Sequence, residues 1–387
     1  MHIWCPQQFR KAGEANNVDP KVIENAIQVA SAVQAVDKRL PPIFSLRHIS
    51  HLTGVDYFVL RSLVERNYIE PYKVFKLDKK NKRSGNRGYR IISIPSPQLM
   101  IVQKWIAKNI LKFGEVHTAS FAYAENSKII QAATLHCNCT WMIKLDVSNF
   151  FESFSEIAAY RVFRTLGYQP LISFEMSRLC TKLGTETRLR RHPAWQSSSF
   201  SKYHKISRYR NRAIGHLPQG APTSPMLSNL AMKNFDSAVS KIALDNNLVY
   251  SRYADDLCLS TNDKSFDRTI ARKVIISIYE KMNAIGLKPN LTKTQIVPPG
   301  ARKIVLGLLV DGNSPKLSRE FRAKLRMHFH FLCRSDIGPA KHAERRGFES
   351  VMGLKNHIQG LIAYARQIDP TYASSCDEHM DNINWPF

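Results

Sequence analysis

The sequence predicts an α+β fold, and three observations carry that expectation. Short apolar runs of strand length occupy the middle of the chain: Trp141 to Asp146, Leu248 to Tyr253, and Leu257 to Ser260. Helical periodicity dominates both ends, and turn chemistry separates the segments. With 387 residues, 44% of them hydrophobic, the chain is long enough for two or three packed subdomains around a sizeable core.

Residues 1 to about 45 read as an N-terminal helical extension. Val22, Ile23, Ala26, Ile27, Val29 and Ala30 form its apolar face, and Pro41-Pro42 ends it. Ser45 to Asn67 reads as two short helices around Thr53-Gly54. A strand from Tyr72 to Leu77 leads into the polar, basic run Asp78 to Arg90, expected as a hairpin tip. The strand Tyr89 to Ile94 follows, closed by Pro95 and Pro97, and Gln98 to Phe113 is helical.

Residues 181–212 are rich in Arg, Lys, Ser, His and aromatics, as in a basic insertion. A solvated linker and an ordered nucleic-acid contact explain that composition equally well. Met226 to Phe235 and Phe266 to Ile285 are expected helices, and Ile304 to Val310 a strand. From Ser318 onward the chain reads as helices with many basic residues. The predicted organisation is therefore an extension over 1–45, a central unit over 46–315, and a basic helical region over 316–387.

Charge narrows the function. Fifty-six Lys and Arg oppose 31 Asp and Glu, a formal net charge of +25. Such an excess attracts polyanions, nucleic acid foremost. No basic amphipathic anchor, signal-like N-terminus or bilayer-length apolar run is visible, so no membrane partner is expected. Seven cysteines without a regular framework point to reduced thiols and a cytoplasmic setting. His136, Cys137 and Cys139 lack a second ligand pair at zinc spacing, so they read as structural.

Three segments together suit nucleotidyl transfer, which needs two divalent ions about 4 Å apart held by carboxylates. Lys144-Leu145-Asp146-Val147-Ser148-Asn149-Phe150-Phe151 puts a carboxylate at a strand end, before an aromatic pair. Tyr253-Ala254-Asp255-Asp256 sits between two apolar strands, as a hairpin turn would. Leu217-Pro218-Gln219-Gly220-Ala221-Pro222 begins in turn chemistry and runs into a helix. An Asp-Asp pair alone is usually a solvated turn; the joint occurrence is specific.

In these motifs the chain resembles bacterial reverse transcriptases of the retron and defence-associated group, over roughly residues 45 to 330. The resemblance implies a right-hand polymerase with fingers, an antiparallel palm sheet and a helical thumb. It implies RNA-templated DNA synthesis with two Mg²⁺ ions, or Mn²⁺, on Asp146, Asp255 and Asp256. It places Phe151 against the ribose 2′ position, and Gln219 and Gly220 beside the incoming deoxynucleotide. Arg90 would grip the triphosphate, with Arg87 and Lys82 as weaker candidates. Lys293, within Gly286 to Thr294, would protonate or stabilise the leaving pyrophosphate.

Ile304 to Val310 resembles the hairpin that seats a primer end. This chain has Val305-Leu306-Gly307 where retron enzymes usually carry Val-Thr-Gly, and an altered Asn-Ala-x-x-His mark at Gln131 to His136. Lys316, Arg319, Arg322, Lys324 and Arg326 recur along the presumed thumb. Their spacing puts Arg319, Arg322 and Arg326 near one face, suited to phosphates. The implied partners are a structured non-coding RNA, an RNA/DNA duplex, deoxynucleotides and a separately encoded effector in antiphage defence. A group II intron maturase, or an RNA-binding subunit with a dormant palm, are the other readings. About sixty residues follow Lys324, without a His-Asn-His nuclease pattern, and all three carboxylates are present.

Overall fold

The computed structural model describes residues 4–67, 71–78, 89–184 and 214–386. Lys82, Arg87 and most of the basic insertion lie outside them. The N-terminal region forms α1 (Pro6–Ala15) and α2 (Pro20–Val36), then α3 (Leu46–Thr53) and α4 (Tyr57–Glu65). The last three begin at capping side chains: Asp19, Ser45 and Asp56 each accept from a backbone N–H of the first turn. Gly54, at φ +68°, closes α3 in the left-handed region.

Strands β1 (Tyr72–Asp78) and β2 (Tyr89–Pro95) pair as an antiparallel ribbon, followed by α5 (Pro97–Asn109) and the short α6 (Ile129–Thr134). The central sheet is built from β3 (Trp141–Ser148), flanked after the helices α7 (Glu156–Thr165), α8 (Pro170–Leu179), α9 (Ser224–Ala231) and α10 (Lys233–Asp245) by the hairpin β4 (Val249–Tyr253) and β5 (Asp256–Thr261). Helix α11 (Arg268–Ala284) and the short strands β6 (Lys288–Pro289) and β7 (Gln295–Val297) complete it. The order is β4-β5-β3-β6, with β7 also on β3, and all pairings are antiparallel.

Alternation along β3 and β5 buries both faces of this sheet. Ile143, Leu145, Val147, Leu257 and Leu259 join the main core with α5 and α7 to α11. Met142 and Cys258 face the other way, into a second core shared with the C-terminal region. That region holds β8 (Ile304–Val305), β9 (Leu308–Leu309) and β10 (Lys316–Leu317), then α12 (Arg319–Leu332), α13 (Gly338–Arg345), α14 (Val351–Arg366) and α15 (Pro370–Asp381).

Ile304 to Val310, a strand by its apolar run and a hairpin by the resemblance, is a tight hairpin. Leu306 (φ +49°) and Gly307 (φ +84°) both sit in the left-handed region, the backbone that joins two short antiparallel strands. No helix among the described residues is long and apolar enough to cross a membrane.

The ends of the basic insertion are pinned together. Lys182 and His216 exchange both backbone hydrogen bonds at 2.9 Å. Beside them the buried Glu156 accepts from Gly215 N at 3.1 Å and pairs with Arg66 at 2.5 Å and Arg178 at 3.1 Å.

Candidate active site

Antiparallel register brings the acids together. Asp146 on β3 lies opposite Asp256 on β5, and Asp255 occupies the turn between β4 and β5. Val147 N donates to Asp255 O at 3.1 Å, so the turn is fastened to β3 as well as to its own hairpin. Ala254, at φ +56°, makes the turn tight enough to present two consecutive acids.

Asp146 is buried, at 3% exposure, yet fully engaged. Its Oδ1 accepts from Asn290 Nδ2 at 2.9 Å, and its Oδ2 meets Lys293 Nζ at 2.5 Å. Asn290 N also donates to Asp146 O at 2.8 Å, which fixes the segment after β6 against the end of β3. Desolvation lowers the Lys293 ammonium, but the hydrogen bond to Asp146 and the charges of Asp146, Asp255 and Asp256 outweigh it and raise its pKa. Lys293 is therefore held as a cation.

The acids repel one another. Desolvation and then the Asp146 charge raise Asp255; Lys293 and Arg90 oppose this from nearby. Desolvation, then Asp255 and Asp146, push Asp256 up to about 6, against the pull of Lys144. Concentrated negative charge of this kind calls for cations. All the donors are oxygen, which suits hard divalent ions such as Mg²⁺ and Mn²⁺ rather than zinc. Among the described residues no three His, Cys, Asp or Glu side chains already converge as a metal cage, and the Lys293 ammonium stands on Asp146 as the local counter-charge.

The flanking residues divide by role. Phe150 is buried in the core, stacked edge-on against Phe154, whereas Phe151 stays partly exposed and faces Tyr123 across 6.3 Å. Desolvation and the Asp255 charge push the Tyr123 hydroxyl up to about 12, so it stays protonated beside the acids. Gln219 O accepts from Ser93 N of β2 at 2.7 Å, which ties this loop to the β1–β2 ribbon.

Gly220 owes its identity to that contact. At φ +106°, a Cβ there would lie 2.8 Å from Ile92 Cγ2 and 3.1 Å from Ser93 O. The close approach is to β2, a constraint distinct from the nucleotide contact expected of it. Arg90 is exposed on β2, opposite Leu77.

Farther out, Lys316 on β10 and Arg319 and Arg326 on α12 are exposed. Arg322, expected on the same phosphate-facing stripe, is committed within the protein. It pairs with Asp369 at 2.6 Å and stacks over Tyr372 at 4.7 Å, joining α12 to α15.

Sequence reasoning singled out neither Asn290 nor Tyr123, whose partners are set by the fold. His136 proves structural: buried, it bridges Ser260 Oγ and Ser251 Oγ at 2.7 Å each, and burial lowers its pKa to about 4.

This arrangement of a strand-end acid, an Asp-Asp hairpin turn and a loop clamped to a two-stranded ribbon is that of a template-directed polymerase palm. The model of the family described as reverse transcriptase (RNA-dependent DNA polymerase) matches residues 77–310, and the chain belongs to that family. Its relatives include the retron Ec86 reverse transcriptase of Escherichia coli, 27% identical over 340 residues that cover 87% of this chain and 93% of that protein. The retron Ec83 reverse transcriptase of the same species is 27% identical over 305 residues, 78% of this chain and 84% of that one. The retron Mx162 reverse transcriptase of Myxococcus xanthus is 27% identical over 300 residues, 75% of this chain and 56% of that one.

Proposed function

We propose that this reverse transcriptase copies a dedicated structured RNA into DNA, with Asp146, Asp255 and Asp256 as its catalytic acids. The observation that carries the assignment is the register: Asp146 faces Asp256 across neighbouring strands, with Asp255 on the turn between β4 and β5. Two divalent ions, Mg²⁺ or Mn²⁺, when held by these acids would acidify a primer hydroxyl and neutralise the triphosphate.

The protein's own groups do the rest. Arg90, whose field reaches Asp255, meets the triphosphate from β2. Phe151 closes the space beside the sugar, and Gln219 and Gly220 form the wall behind the base. Lys293, charged and 2.5 Å from Asp146, supplies a proton or a positive charge to the departing pyrophosphate. Lys316, Arg319 and Arg326 meet the phosphates of the RNA/DNA duplex, and the β8–β9 hairpin seats the primer end. The organisation into extension, fingers and palm, and thumb over 1–45, 46–315 and 316–387 belongs to the same reading.

The names of the relatives support a retron setting, in which a non-coding RNA is the template. Antiphage defence with a separately encoded effector, in the cytoplasm, extends that reading. Purified protein is expected to incorporate deoxynucleotides on its copurifying RNA when Mg²⁺ is added, and sequencing the product identifies the template. A dormant RNA-binding subunit would incorporate nothing. A maturase would instead copurify with intron RNA. Phage plating with and without the locus tests the defence role.

A further inference from the structure

Arg252 lies one residue before the Tyr-Ala-Asp-Asp turn, and its side chain is completely buried. Strand alternation places it on the helix-covered face of the sheet, opposite to the face that carries Asp146 and Asp256. It therefore cannot touch substrate. Its guanidinium spans Asp236 on α10, with Nε to Oδ1 at 2.7 Å and Nη2 to Oδ2 at 2.6 Å. Nη2 also donates to Asn229 Oδ1 on α9 at 2.8 Å, and Nη1 donates to the Ala254 carbonyl at 3.2 Å.

Each partner is itself tied. Tyr250 Oη donates to Asp236 Oδ1 at 2.8 Å, Ser120 Oγ donates to Asn229 Oδ1, and Asn229 Nδ2 donates to Ala122 O at 2.8 Å. The Arg252 backbone adds hydrogen bonds to Ala119 O and from Phe121 N. The network thus joins the turn to α9, which follows the Gln219 loop, and to residues 119–122, which lead into Tyr123.

A buried ion pair is a poor device for stability, because well-packed apolar residues of similar volume do as well or better. What this one adds is direction. One arm of a fork already fixed on two other partners holds the carbonyl of Ala254, a non-glycine residue at φ +56° immediately before Asp255. We propose that Arg252, with Asn229 and Asp236, is a positioning residue that aims Asp255 by holding the Ala254 carbonyl, and that links this aim to the nucleotide-side helix α9. The inference rests on the role of Asp255 given above.

The test uses the full-length enzyme with its bound RNA. Arg252→Lys keeps the charge against Asp236 but cannot reach Asp236, Asn229 and Ala254 together. The double variant Arg252→Met with Asp236→Leu removes both charges without stranding either. Primer-extension kcat, deoxynucleotide KM, melting temperature, and Mn²⁺ binding by electron paramagnetic resonance without turnover are measured for each. The expected result is a folded protein whose kcat falls roughly 10- to 100-fold, as for other groups that orient metal ligands. KM should stay within about threefold, with weaker Mn²⁺ binding.

Parental kcat and Mn²⁺ binding in folded Arg252→Lys would overturn the proposal, whatever the double variant does. A fall in kcat that appears only as melting approaches the assay temperature would overturn it too. Failure of the parent enzyme to extend any primer would instead count against the proposed function.

Discussion

Arg252 and His328 are both basic side chains buried in cores that meet across the central sheet, but their surroundings differ. Around Arg252 charge is matched: Asp236 faces it with both oxygens, and Asn229 and Tyr250 complete the set. Around His328 only one ring nitrogen is matched. Its Nδ1 shares a hydrogen bond with His342 Nε2 at 3.0 Å, the His357 ring is 5.8 Å off, and Nε2 has no hydrogen-bond partner among the described residues. Desolvation comes first among the causes that lower His328 to about 4, followed by His342, Arg346, His357 and Lys324.

The two clusters show what burial of polarity can serve. A saturated network of fixed charge specifies a geometry, whereas neutral imidazoles serve as packing and stay so only while unprotonated. The Arg252 network thus holds the Ala254 carbonyl in place, whereas the His328 cluster packs α12, α13 and α14 together.

Four substitutions test this contrast, and the largest effect belongs to the side that fixes geometry. Asp255→Asn should leave melting essentially unchanged while primer extension falls by about 10³-fold or more, since a metal ligand supplies several kcal/mol of transition-state stabilisation. Retained extension would dismantle the assignment of the site. Asn290→Ala, which frees Asp146 Oδ1, should lower kcat roughly 10- to 100-fold, as loss of a group that orients a ligand does. Competition assays between ribo- and deoxynucleotides should show Phe151→Val losing discrimination by about tenfold; an unchanged ratio would return Phe151 to a packing role beside Phe150.

The smallest effect is expected in the C-terminal half. His328 has its pKa depressed in the folded state, so the unfolded chain binds the proton more readily. Stability is then complete above about 6.5 and declines as pH falls toward about 4. His328→Leu should blunt that decline, read as hydrogen exchange in α12 to α14 at pH 5 against pH 7.5. An identical acid response in the variant would show that the imidazole cluster is not its source.

Local pattern made the acids, the strands and most helices readable. Apolar runs of strand length flank Asp146 and Asp255, and the capped helices begin where Ser45, Asp56 and Ser318 stand. What escaped is set by contacts between distant segments. Asn290 meets Asp146 across 144 positions, and Arg252 meets Asp236 on a helix 16 positions earlier. Helical spacing puts Arg322 near Arg319 and Arg326, and the pairing of its guanidinium with Asp369, just before α15, is visible only in the fold. The turn chemistry around Gly220 is legible in the sequence, but its close approach to Ile92 and Ser93 of β2 is not. Over 304–310 the apolar run alone reads as one strand, and only the resemblance points to the hairpin, because leucine does not advertise the left-handed state that Leu306 shares with Gly307.

The paired neck at Lys182 and His216 makes the enzyme tolerant of change at one point. The chain leaves and re-enters there side by side, held by Lys182, His216 and the Gly215 contact to Glu156. Two ends already set side by side by the palm make this a natural graft site, where one connecting stretch can be exchanged for another while the neck itself stays as it is.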